Sequence, residues 1–61
     1  MLPVELVSPR EAAERLSVAT ITVRRLIDAG DLPAFKVGKA VRIPVEAIEG
    51  YLEGRRVGGA A

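Results

Sequence analysis

Apolar positions along the 61-residue chain change their period twice. Ala12, Ala13 and Leu16 recur at helical spacing. They follow Ser8-Pro9-Arg10-Glu11. Serine caps a helix, proline suits its first position, and glutamate three residues after the serine can close a capping box. These signals predict a first helix over Pro9–Leu16, whose small inner face lets another helix approach closely. Leu6 and Val7 precede the cap and can staple the chain onto the first turn. Ser17-Val18-Ala19 has room only for a turn. Val23, Leu26 and Ile27 then share one face of a second helix, which begins within residues 19–21 and ends at Ala29, with Gly30 as its terminator. Its opposite face carries Ile21, Arg24, Arg25 and Asp28, flanked by Thr20 and Thr22.

Pro33 blocks continuation of that helix, and the period becomes two. Ala34-Phe35-Lys36-Val37 and Val41-Arg42-Ile43 read as the strands of a hairpin linked by Gly38-Lys39-Ala40. Phe35, Val37, Val41 and Ile43 are available to pack, though strand parity forbids all four from facing inward. Pro44 is expected to stop the second strand. Ala47, Ile48, Tyr51 and Leu52 then predict a third helix over about Val45–Glu53, ended by Gly54. The expected core is Leu16, Val23, Leu26, Ile27, Ile48 and Leu52, with both aromatics, Phe35 and Tyr51, read as core. The organisation is therefore an N-terminal arm (1–7), one domain (6–53) of helix-helix-hairpin-helix order, and a mobile tail (54–61).

Composition narrows the chemistry. A chain of this size buries roughly 60% of its unfolded surface, enough for one small core and too little for a deep active site. It contains no cysteine and no histidine, which removes disulfides, thiolate metal sites and the commonest general base. No catalytic constellation, metal site or cofactor is expected, and the protein is not expected to be an enzyme. No apolar run approaches the ~18 residues of a membrane span. Met1-Leu2-Pro3-Val4-Glu5 lacks the basic start of a signal peptide, so the expected compartment is the cytoplasm.

Net charge is only +1, but its sign alternates in blocks. Arg15, Arg24 and Arg25 make residues 15–27 net +3, and Lys36, Lys39 and Arg42 do the same for residues 36–45. Acidic blocks surround them, with Glu46, Glu49 and Glu53 on the third helix. Two cationic blocks can solvate a small surface or form a two-part site for an anionic polymer. Their placement favours the polymer. Two helices joined by a tight turn, a hairpin and a packing helix make a winged helix-turn-helix, mainly α with a β-hairpin. A DNA major groove about 12 Å wide admits one helix, braced by another. The cationic blocks fall on the elements that would touch DNA, and apart from Asp28 the acidic ones do not.

The same residues resemble a known family. Leu6-Val7-Ser8-Pro9-Arg10-Glu11-Ala12-Ala13-Glu14-Arg15-Leu16-Ser17-Val18 looks like the first helix and turn of the excisionase-type, MerR-like helix-turn-helix domains. Val23-Arg24-Arg25-Leu26-Ile27-Asp28-Ala29-Gly30-Asp31-Leu32-Pro33-Ala34 resembles their recognition helix and its exit, and Phe35-Lys36-Val37-Gly38 with Val41-Arg42-Ile43-Pro44 resembles their wing. The resemblance implies binding and bending of double-stranded DNA by a phage or prophage excisionase, a recombination directionality factor that biases an integrase toward excision. Partners would be the DNA, the integrase and further copies bound cooperatively. The alternatives are a small prophage transcriptional regulator and, in another class, a protein-interaction module with a basic face.

Arg24 and Arg25 are the foremost candidates for contact, one on guanine edges and one on phosphate; the competing role is an Arg25–Asp28 pair. Thr20 and Thr22 either donate to phosphate at the helix N-terminus or, for Thr20, simply cap it. Ile21 either meets a thymine methyl or folds back onto Val18 or Leu16. On the wing, Lys36, Lys39 and Arg42 reach the minor groove or backbone, Arg42 having Glu46 and Glu49 as other partners. Arg15 is a candidate for a flanking phosphate. Arg55 and Arg56 in the tail are candidates for contact with a neighbouring copy or the integrase.

Overall fold

A computed structural model describes residues 5–57; residues 1–4 of the expected arm and 58–61 of the expected tail lie outside the described residues. The chain runs through β1 (Leu6–Val7), α1 (Pro9–Leu16), α2 (Thr20–Asp28), β2 (Phe35–Val37), β3 (Ala40–Pro44) and α3 (Val45–Gly54). Ser8 Oγ accepts from the Glu11 N–H at 3.1 Å, and Pro9 occupies the first turn. The return half of the capping box is replaced: the Glu11 carboxylate accepts instead from Arg15 at 3.0 Å.

Both helices of the N-terminal pair end in the same nested backbone bonds. At α1, the Val18 N–H donates to the Ala13 carbonyl at 3.0 Å and the Ser17 N–H to Glu14 at 3.2 Å. At α2, the Asp31 N–H donates to Leu26 at 2.9 Å and the Gly30 N–H to Ile27 at 3.0 Å. This motif turns on one residue of positive φ. Gly30 supplies it at α2 with φ 83°, and Ser17 supplies it at α1 with φ 60°. A side chain is disfavoured in that conformation by about 1–2 kcal/mol, part of which glycine returns as unfolded-chain entropy. Ser17→Gly is therefore expected to raise stability by about 0.5–1 kcal/mol, read as a higher urea midpoint at unchanged slope.

The hairpin differs from the expectation in its link. Val37 pairs with Ala40, so the turn is Gly38-Lys39 alone and Ala40 belongs to the strand. Gly38 has φ 63° and Lys39 does not share a positive φ, the φ-sign pattern of a type II′ turn that matches strand twist. Pro44 stops the strand as expected, but from within it: it is buried, pairs with Leu6 and is the last residue of β3, directly before α3. The third strand, β1, was not anticipated beyond a staple. Antiparallel pairing of Leu6 with Pro44 and Val7 with Ile43 places β3 centrally in the order β1-β3-β2. The Val45 N–H, unsatisfied within its own helix, donates to the Glu5 carbonyl at 2.9 Å.

The core is Val7, Ala12, Ala13, Val23, Leu32, Ile43 and Ile48, with Leu16, Leu26, Ile27, Ala34, Val45, Ala47 and Tyr51 packed against it. Ala12 and Ala13 are buried because their small side chains let α1 lie close to its neighbours. Two expectations are corrected. Leu52 is half-exposed, being carried to the edge of α3's inner stripe while Ile48 fills its centre. Phe35 is 57% exposed, not core, and Val37 shares its exposed face. Among the described residues, no helix is long and apolar enough to cross a membrane.

Candidate nucleic-acid interface

α2 begins without a side-chain cap. Its N-cap is Ala19, so Thr20 does not cap the helix but is its first residue, and it is exposed. The Thr22 and Val23 N–H groups donate to the Ala19 carbonyl at 2.9 and 3.4 Å, and those of Thr20 and Ile21 have no helical acceptor. An open helix N-terminus attracts anions through these groups and the helix dipole. Thr22 is half-buried at the flank.

Ile21, Arg24 and Arg25 stand at i, i+3 and i+4, so their side chains form one surface on α2, and all three are exposed. Ile21 does not fold back: it is 55% exposed. Neither arginine is held in an ion pair among the described residues, and the Arg25–Asp28 pair is absent. Lys36, Lys39 and Arg42 likewise have no carboxylate partner there, so Glu46 and Glu49 do not hold Arg42. Instead, Arg42 Nη1 donates to the Val41 carbonyl at 2.8 Å. Arg15, Arg55 and Arg56 are engaged, whereas Arg10 on α1 has no carboxylate partner among the described residues. Arg15 lies 3.0 Å from Glu11 and 4.0 Å from Glu5, and Arg56 lies 3.4 Å from Glu53. The Arg55 guanidinium sits 4.6 Å above the Tyr51 ring, a cation–π contact.

The hairpin register divides its cations between two faces. Directly paired residues share a face and neighbours along a strand alternate. Lys36 therefore lies with Val41, whereas Arg42 lies with Phe35 on the other side. Val41 joins Pro9, Arg24, Ile27 and Asp28 around a small cleft between α2 and the sheet. The structure thus brings Lys36 to the side of the hairpin that meets Arg24, and it separates Arg42 from them. Lys39 is at the turn, exposed. The cleft is not visible in the period of either element alone, because it depends on the hairpin register, which sets the strand face that Val41 occupies. Among the described residues, no group of carboxylates is placed to hold a metal ion.

The chain has relatives of similar sequence. Two Mycobacterium tuberculosis proteins, from strains CDC 1551 / Oshkosh and ATCC 25618 / H37Rv and each carrying the name "Putative DNA-binding protein", are 37% identical to it over 49 residues. The matched region is 80% of this chain and 63% of each relative, so the chain spans less than two thirds of their length. No solved structure matches it significantly. The family model described as "Helix-turn-helix domain" matches residues 6–56, from β1 through the end of α3. The nested turn between α1 and α2, the open face of α2 and this match together make the chain a member of the helix-turn-helix domain family.

Proposed function

We propose that the chain binds double-stranded DNA as a winged helix-turn-helix of the MerR-like, excisionase type. The observation that carries this reading is the placement of its cations. Five that have no carboxylate partner among the described residues stand on the exposed face of α2 and on the hairpin, whereas on α1 Arg15 is held by two carboxylates and only Arg10 has none. In this reading α2 enters the major groove, Arg24 and Arg25 meet base edges and phosphate, and Thr20 and Thr22 flank a phosphate at the helix N-terminus. The hairpin acts as the wing, with Lys36 and Lys39 on the adjacent backbone or minor groove and Arg42 on its outer side. Arg15, tied to Glu11, is at most an accessory contact. The names of the mycobacterial relatives agree with DNA as the ligand.

The finer role is that of a phage or prophage excisionase in the bacterial cytoplasm, non-catalytic, with an integrase as protein partner. One such module covers roughly 600–1,000 Å², too little for a unique genomic address. Specificity then comes from several copies bound cooperatively to closely spaced repeats, and head-to-tail copies can curve the duplex. Gel shifts on one, two and three sites are expected to show cooperativity and bending, and an integrase assay a shift toward excision. Independent, unbent binding with no effect on excision would replace this role with that of a small prophage transcriptional regulator.

A further inference from the structure

The first turn of α2 breaks local rules in the same place. Thr20-Ile21-Thr22-Val23 are four β-branched residues in succession, each a weaker helix former than an unbranched side chain. The turn also lacks a side-chain cap. Such local inconsistency is expected where function, not folding, selects the residues. At its centre Ile21 is 55% exposed, and it stands one helical turn before two arginines that have no ion-pair partner among the described residues. Single exposed apolar residues are common on protein surfaces. This one occupies the first turn of the second helix, the position from which helix-turn-helix proteins reach base edges.

We infer that Ile21 reads the C5-methyl group of a pyrimidine in the major groove, so that the site prefers thymine at one position. The inference rests on the DNA-binding reading above. Thymine's methyl is the apolar feature on the floor of the major groove, and an aliphatic side chain recognises it by excluding water from both. Arg24 and Arg25 on the same surface would fix the register that brings Ile21 to that base. In methylated DNA, 5-methylcytosine offers the same group.

The test couples one side chain to one methyl. A site is selected from random unmethylated duplexes, and each thymine is replaced in turn by deoxyuridine, which removes only the methyl. At one position the wild type is expected to weaken about fourfold, the effect of losing one buried methyl-sized group. Ile21→Ala, at an exposed position and checked for an unchanged melting temperature, is expected to bind the unmodified site about fourfold more weakly. It should show no further loss at that position and keep the wild-type salt slope. Coupling at 5-methylcytosine from a methylated pool, and at no thymine, would keep the methyl contact and reassign its source. Duplex binding with no coupled position, or a changed salt slope in Ile21→Ala, would overturn the inference alone. Failure of the wild type to bind any duplex would overturn it together with the DNA-binding reading.

Discussion

Replacing Leu32 with alanine is expected to remove about 2–4 kcal/mol of folding stability. Leu32 is 1% exposed and lies immediately after the backbone motif that ends α2. Its N–H donates at 3.2 Å to Leu26, so its backbone is held while its side chain fills the core. The substitution would leave a cavity in a core cluster whose members, Val23, Ile43 and Ile48 among them, belong to different elements and cannot all collapse into it. A domain of this size has a total stability of about 3–9 kcal/mol, so the loss takes a large share of it. Leu52→Ala, at a half-exposed position, should cost less than about 1 kcal/mol. Urea denaturation of both variants checks the contrast; equal midpoints would show that Leu32 does not anchor the core.

Arg24→Ala is expected to weaken binding to a selected duplex by about 1–3 kcal/mol and to relax base preference at one position, because a bidentate guanine contact has that magnitude. Lys39→Ala should act differently. In the proposed reading Lys39 meets phosphate, so specific and random duplexes should lose affinity alike and the salt slope should fall by about one unit. Arg15→Ala should change little, since its guanidinium is already held 3.0 Å from Glu11. Titrations at several salt concentrations separate the three. If Lys39→Ala leaves affinity and salt slope unchanged, the hairpin turn does not reach DNA as proposed.

The elements that were legible in the sequence carry strong local signals. Ser8 and Pro9 mark the start of α1, and Gly30 marks the exit of α2 through a conformation that glycine adopts at little cost. What escaped depends on tertiary contact. β1 is two residues long and exists only because β3 pairs with it. Leu32 has no periodic neighbour; its burial follows from the turn geometry after Gly30. Phe35 looks like core by composition, but it shares a sheet face with Arg42 and not with Ile43. The same register separates Arg42 from Lys36, so the three hairpin cations do not form one group. At α2, helical spacing placed Arg24 and Arg25 outward, and both are exposed. That no carboxylate among the described residues holds them could be seen only once the acidic residues were positioned.

Fluorescence anisotropy on a labelled duplex across a salt series shows whether the open faces of α2 and the hairpin form a site for double-stranded DNA. The logarithm of the binding constant is expected to fall linearly with the logarithm of salt concentration, by about 0.9 units for each phosphate neutralised. Removing Arg24 and Arg25 together should lower affinity and flatten that slope, with the fold intact because both side chains are exposed. Absence of duplex binding at low salt, or binding that the double variant leaves unchanged, would show that these faces form no such site.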